Sequence, residues 1–389
     1  MRFKSRLWLL VSAAALLGTG ALASEVQVAN YGVTKDGQTV RSYTLVNDKG
    51  ASATILDYGG AVAAIRVPDR KGQFGNVVMS MSDLAGWETM GHANSLVGRY
   101  ANRLRNGFTL DGVHYPLQPN AKGVTIHGGT VAYTRRVWTA LPINKKDGAA
   151  VTLTLDSPDG DQGFPGHLKV KATYRFTNDN ALRLDFEAVT DKATVVNLTN
   201  HIYFNLNGNS TTPIYTHDLQ VMADQVAVKD ADSVPTGEMM EVKGTPFDLT
   251  KPTLLADRIA AATDPAFATP GPNTPRAPAG KVLGYDHSFI IRKGLNRLDK
   301  VSARLHDPAS GRVLELRTTE PTMQVYTPAG ARAGLLSDAG KPFVQGPTVA
   351  LETQHLPDSP NLQGLPTTIL RPGETFRSTT IFGFTTDKR

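Results

Sequence analysis

Residues 169–188 constrain the fold most, because two runs of strict alternation there flank four turn-forming residues. In KVKATYRF, Val170, Ala172, Tyr174 and Phe176 fall on one face. In ALRLDFEA, Leu182, Leu184, Phe186 and Ala188 do the same. Successive side chains of an extended chain point to opposite faces, so eight residues of period two describe a strand with one buried face. The intervening Thr177-Asn178-Asp179-Asn180 is turn chemistry and makes the pair an antiparallel hairpin. Val151, Leu153 and Leu155 alternate with threonines in the same manner. Further strands are expected over residues 53–65, 218–228, 312–318, 348–352 and 379–384. Helical patterning is confined to short pieces around 82–90 and 254–262. Many short strands joined by Gly- and Pro-containing turns predict an all-β sandwich or barrel. Residues 263–281 hold five prolines and two glycines and sustain neither helix nor strand. Strand patterning resumes beyond them, so they read as a long excursion within one domain.

The chain opens with Arg2, Lys4 and Arg6, an apolar run over residues 7–17 and the small-x-small triplet Ala21-Leu22-Ala23. This is the tripartite pattern of a secretory signal peptide, too short and wrongly flanked for a stable membrane anchor. Cleavage is expected after Ala23, leaving one domain over residues 24–389 in a periplasmic or secreted protein without membrane attachment. Half of the net charge of +6 belongs to the three basic residues of that segment. The other basic residues are scattered rather than clustered, which argues against nucleic acid as a partner. The absence of cysteine removes disulfides, thiolate nucleophiles and cysteine metal sites together. Stability must come from the core, and a chain of 389 residues buries a large one.

Chemistry concentrates in a few polar motifs. Residues 195–208 read VVNLTNHIYFNLNG, placing His201 among Asn197, Asn200 and Asn205 with Tyr203 and Phe204 alongside. Amides that fix a polar group, beside aromatic rings, suit a concave polar pocket with an aromatic wall, such as a sugar site. A structural histidine at a strand end fits that stretch equally well. Residues 97–103 read VGRYANR, in which Arg99 and Arg103, four apart, suit an exposed face and Asn102-Arg103 equally suits a clamp for hydroxyl oxygens. The dipeptide Asp111-Gly112 after Phe108 resembles a hairpin turn. His127 precedes Gly128-Gly129, which permits a tight turn or close approach of a ligand. Asp286 lies in Gly-Tyr-Asp-His, Gln324 in Gln-Val-Tyr-Thr, and Glu352 ends an apolar run.

In order and wording these motifs resemble the aldose 1-epimerase, or galactose mutarotase, family. The matching pieces are VGRYANRL, IHGG, NLTNHIYFNLNG, GYDHSF, MQVYT, VALETQHLPDSPN and LRPGETFRSTTIFGF, spread from about Thr34 to Phe384. The resemblance implies a large antiparallel β-supersandwich with few short helices and a sugar cleft on one face. It implies His201 as general acid and Glu352 as general base. Asn102, Arg103, His127, Tyr203, Asp286 and Gln324 take the sugar-binding positions. It implies a free aldose such as glucose or galactose as substrate, no cofactor and no metal; the oligomeric state, monomer or weak dimer, stays open. The chain departs from the family pattern at Pro328-Ala329, at Ala132-Tyr133 and in the length of the proline-rich excursion. These departures touch the cleft rim and bear on substrate preference.

Mutarotation opens a hemiacetal and recloses it on the other face of C1. It requires one proton removed from the C1 hydroxyl and one added to the ring oxygen. A base and an acid on opposite sides of the ring are expected to do both, with the roles exchanged on closure. Three rivals stand beside this reading. A non-catalytic sugar-binding protein would not need both His201 and Glu352. A glycoside hydrolase would need paired carboxylates and leaves His201 unexplained. An epimerase of phosphorylated hexoses would want additional basic residues, and none is evident near the motifs.

Overall fold

The computed structural model describes residues 24–387 except 122, 146, 210–211, 260–283, 329–333 and 345. Residues 1–23 and the proline-rich excursion therefore lie outside the described residues.

The hairpin forms as the alternation requires. Strands Leu168–Thr177 and Ala181–Thr190 pair antiparallel. The inward residues face one another directly: Val170 opposite Ala188, Ala172 opposite Phe186, Tyr174 opposite Leu184 and Phe176 opposite Leu182. All eight are buried in the main apolar core. The Thr177 hydroxyl accepts from the Ala181 amide at 3.1 Å and helps close the turn.

This hairpin sits inside a nine-stranded antiparallel sheet. Its order is Thr139–Lys145, Gly148–Ser157, the hairpin, Phe376–Thr386, Arg312–Thr318, Ala303–His306, Asp218–Val221 and Thr253–Leu254. A second, six-stranded antiparallel sheet runs Tyr203–Phe204, Val349–Gln354, Thr322–Tyr326, Asp286–Ile291, Ala223–Lys229 and Pro235–Glu241. A five-stranded antiparallel meander covers residues 25–76. One core cluster joins all three sheets: Ile55 and Ile65 from the meander, Leu153, Phe382 and Phe384 from the large sheet, and Met323, Val325 and Leu351 from the six-stranded sheet. The expected large antiparallel β-sandwich is the observed architecture.

Four local expectations change. The apolar run 53–65 is two strands, Ser52–Leu56 and Val62–Pro68, because Gly59 and Gly60 adopt φ of 63° and 58° and reverse the chain between them. A side chain at Gly59 would also meet the Thr134 carbonyl oxygen at 2.5 Å. The run 218–228 divides at Met222, with Asp218–Val221 in the nine-stranded sheet and Ala223–Lys229 in the six-stranded one. Alternation continues through that crossing, so the pattern carries no mark of it. The strands expected over 348–352 and 379–384 are longer, Val349–Gln354 and Phe376–Thr386. The helix expected over 254–262 spans only Leu255–Arg258, and residues 260–262 are outside the described set. The other helix, Leu84–Met90, is capped by the Asp83 carboxylate, which accepts from the Gly86 amide at 2.9 Å. Asp111 and Gly112 both take positive φ and turn Phe108–Leu110 into Val113–Tyr115 as expected. Among the described residues no helix is long and apolar enough to cross a membrane.

Candidate active site

The six-stranded sheet turns Met323, Val325 and Leu351 into the core, so Gln324, Tyr326 and Glu352 face the other way. Register then lines up a polar row. Ser288 is opposite Gln324, and Gln324 is opposite Glu352. Asp286, two residues before Ser288, shares its face. The row is internally bonded: the Ser288 hydroxyl donates to Gln324 Oε1 at 2.5 Å, and Gln324 Nε2 donates to Asp286 Oδ1 at 2.6 Å.

A second group of residues faces this row. Strand Arg103–Arg105 pairs with Val124–Ile126, which brings Asn102 beside His127. The His127 amide donates to the Asn102 carbonyl at 2.8 Å, and the Asn102 amide donates to His127 Nδ1 at 3.3 Å. Nδ1 is therefore an acceptor, and a neutral His127 carries its proton on Nε2 as a donor. Both residues hold positive φ, 59° and 53°, a conformation uncommon for histidine. The Arg103 guanidinium donates to Asn102 Oδ1 at 3.0 Å and to Asp286 Oδ2 at 3.2 Å. The Asp358 amide donates to the Arg103 carbonyl, and Asp358 Oδ1 accepts from the Arg105 amide, both at 2.9 Å. The Pro-Asp-Ser-Pro-Asn motif thus holds the arginine strand in place.

His201 completes the arrangement. Its Nε2 lies 3.5 Å from Glu352 Oε1, and its ring stacks on Tyr203 at 4.7 Å between centroids and meets His127 at 5.4 Å. All eight residues singled out from the motifs converge on one site. The surrounding asparagines do not line it. Asn197 bonds the backbone of His355, Asn200 donates to the Asn94 carbonyl and the Tyr174 hydroxyl, and Asn205 spans the Thr212 and Pro347 carbonyls. They brace the segment that carries His201. Arg99 likewise is wholly internal, its guanidinium bonded to the Ser157, Pro165 and Gly166 carbonyls.

Burial sets the electrostatics. It pushes the Glu352 carboxyl well above its ordinary range, and Asp286 adds to the rise. It pushes His201 well below the ordinary imidazole value, helped by His92 and His127. His127 is lowered in the same way by burial, His92 and Arg103. Asp286 differs: burial alone would raise it, but Arg103, Lys229, His287 and Gln324 together hold it below its usual value as a carboxylate. Burial therefore favours the neutral form of both groups, a state in which the pair holds one proton. His201 Nδ1 and Glu352 Oε2 are buried polar atoms without a hydrogen-bond partner among the described residues. Such orphans are costly in a folded interior unless a polar partner meets them.

One expectation is corrected here. The acid and base were expected on opposite sides of a sugar ring, and they stand side by side, too close for a ring to pass between them. Two further residues belong to the neighbourhood without a motif to announce them. His92 follows the helix-ending Gly91 and packs against His201 and His127 at 5.1 and 5.6 Å. Lys229 ends a strand whose sequence marks it as an edge charge, yet its ammonium lies 3.8 Å from Asp286 Oδ2. The arrangement pairs one group that can give a proton with one that can take it, next to a lattice of groups able to bond hydroxyls.

The family model for aldose 1-epimerase matches residues 41–383. A galactose mutarotase of Rattus norvegicus is 34% identical over 350 residues, covering 90% of this chain and 95% of that protein. An aldose 1-epimerase of Escherichia coli K12 is 33% identical over 354 residues, covering 90% and 96%. The crystal structure of a galactose 1-epimerase from Lactobacillus acidophilus superposes with a TM-score of 0.77 at 27% identity, covering 94% of this chain and all of that one. With its sandwich, its paired histidine and glutamate and this extent of likeness, the chain belongs to the aldose 1-epimerase family of isomerases.

Proposed function

We propose that this protein interconverts the α and β anomers of free aldoses by general acid–base opening and closure of the ring. The observation that carries the reading is the buried His201–Glu352 pair, 3.5 Å apart, beside the Arg103–Asp286–Gln324 network. The two oxygens that exchange protons in mutarotation, the C1 hydroxyl and the ring oxygen, are both bonded to C1. Two adjacent groups suit such geminal oxygens better than an opposed pair does.

Glu352 as carboxylate takes the proton of the C1 hydroxyl. The electrons of that O–H bond become the carbonyl π bond, the C1–O5 bond breaks, and imidazolium His201 gives its proton to O5. Rotation about C1–C2 presents the other face of the aldehyde, and the same transfers run backwards. Burial favours the neutral pair in the free site, so the reactive form needs the shared proton moved from Glu352 to His201. Both forms hold one proton and are the same macroscopic species. Hydroxyls donating to the orphaned Glu352 Oε2 favour its ionised form. Asn102, Arg103, His127, Asp286 and Gln324 hold the remaining hydroxyls, and Tyr203 backs the imidazole. A group of this kind contributes about 10²–10⁴-fold.

Polarimetry of freshly dissolved α-glucose and α-galactose tests the reading. Catalysed decay above the spontaneous rate is expected. Binding of these sugars with no added rate would establish a carbohydrate-binding protein of the same fold instead.

The tripartite pattern of residues 1–23 supports export to a periplasm or the medium. Intact mass of the exported protein should place its N-terminus at Ser24, and retention of Met1 to Ala23 would contradict this. A core cluster running from Tyr43 to Phe384 supports one domain, which should melt in a single calorimetric transition.

A further inference from the structure

Lys229 is the last residue of strand Ala223–Lys229, and register with the neighbouring strand shifts between Ala227 and Lys229. Such irregularities re-aim a side chain that regular pairing would send elsewhere. Here the lysine side chain is only 9% exposed. Its ammonium donates to the Asp286 carbonyl at 2.7 Å and, with Asn102, Asp286, Ser288 and Gln324, lines a small cavity of about 10 Å³.

The charges around it do not balance. Asp286 already has Arg103 at 3.2 Å and an amide donor from Gln324. Glu352 is driven by burial towards its neutral form, and His127, His201 and His287 towards theirs. Arg103 and Lys229 thus both lie against the one Asp286 carboxylate, at 3.2 and 3.8 Å, and burial lowers the Lys229 ammonium while Asp286 opposes that fall. Asp230 and Asp232 follow in sequence, but both are engaged by Arg105 at the rim, with side chains 29% and 49% exposed. Solvent and salt screen those charges far more than the buried ones. A buried cation in excess is costly unless an anion joins it. Lys229 has three donors and gives one to a backbone carbonyl.

We propose that the preferred substrate of this site is an aldose bearing a carboxylate, a hexuronic acid, whose carboxylate is received between Lys229 and Arg103. The inference rests on the mutarotase reading and adds to it the charge class of the sugar. Asn102, Asp286, Ser288 and Gln324 would hold hydroxyls, while the guanidinium fork and the ammonium meet the two carboxylate oxygens. A charge-assisted hydrogen bond of this kind corresponds to about ten- to a hundredfold in affinity.

The test compares anomer interconversion by the wild-type protein on glucuronic and galacturonic acids, glucose, galactose and glucose 6-phosphate at fixed ionic strength. Polarimetry or exchange between the anomeric proton resonances follows the rate. The expected result is a kcat/KM for the hexuronates at least about tenfold above that for their neutral parents. Lys229→Met should erase the advantage and Lys229→Arg should retain much of it. Equal or faster turnover of the neutral sugars overturns the proposal, as does a preference for the phosphate ester over the hexuronates. Should Lys229→Met fail to fold, the wild-type series alone decides. Turnover of none of these sugars would instead defeat the mutarotase reading itself.

Discussion

Glu352→Gln should have opposite effects on activity and stability. Glutamine has the shape of a protonated carboxyl but cannot take the proton of the C1 hydroxyl. Loss of one general acid–base group costs about 10²–10⁴-fold in rate, or about 2.7–5.5 kcal/mol of barrier. The neighbouring acidic groups among the described residues are poorly suited to replace it. Asp286 is engaged by Arg103 and Gln324, and burial pushes the Tyr326 phenol up to about 12. The mutarotation rate should therefore fall at least about a hundredfold. Stability should move the other way. Burial raises the Glu352 carboxyl above the 4.5 of an unfolded chain, so its contribution is fully present below that pH. The contribution is lost as pH rises towards the folded value, where a charge must be held in the interior. Glutamine carries no such penalty. Its melting temperature should exceed that of wild type near neutral pH, and the gap should close as pH falls below about 4.5. Polarimetry and scanning calorimetry across that range measure both. Activity within tenfold of wild type would refute Glu352 as the base, and a melting gap independent of pH would refute the electrostatic reasoning.

Asn94→Ala removes three buried bonds, to the Val62 and Met79 carbonyls and from the Tyr203 amide. Each unmet partner costs about 1–3 kcal/mol, so urea denaturation should show a loss of at least about 3 kcal/mol. The acid limb of kcat/KM should lie below the ordinary imidazole value of 6.5, because burial and the neighbouring histidines lower His201. A limb centred at or above 6.5 in a pH profile, corrected for spontaneous mutarotation, would contradict that. Arg103→Ala should raise KM at least about tenfold while kcat changes less, since its hydrogen bonds hold hydroxyls in ground and transition states alike. An equal fall in kcat with KM unchanged would place Arg103 in the proton transfer instead.

The hairpin at 169–188 was legible because its alternation and its turn agree, and each inward residue meets another inward residue across the strands. The site was legible only through motif likeness. Asp286, Gln324 and Glu352 lie on three strands whose register, not their spacing, makes them neighbours. Tyr58-Gly59-Gly60 concealed a reversal within an apolar run, because both glycines sit in a pattern that otherwise continues. The asparagines around His201 read as part of a polar pocket and are internal braces, since an amide bonds backbone as readily as a hydroxyl. Lys229 had no signal at all: a lysine beside Asp230 at a strand end reads as solvated, and only the register shift turns it inwards.

The crossing at Met222 has a mechanical consequence. Its amide donates to the Ser302 carbonyl of one layer while its own carbonyl accepts from the Arg292 amide of the other, both at 2.9 Å. One continuous run of chain is thus stitched into two sheets through a single residue, like a thread passed through two plies of cloth. Neither ply can peel back past that point without pulling on its partner. Lys229 and Asp286 hang on the second ply, seven residues and one strand away from the stitch. Loosening the outer end of the large sheet therefore slackens the wall that carries Lys229 and Asp286.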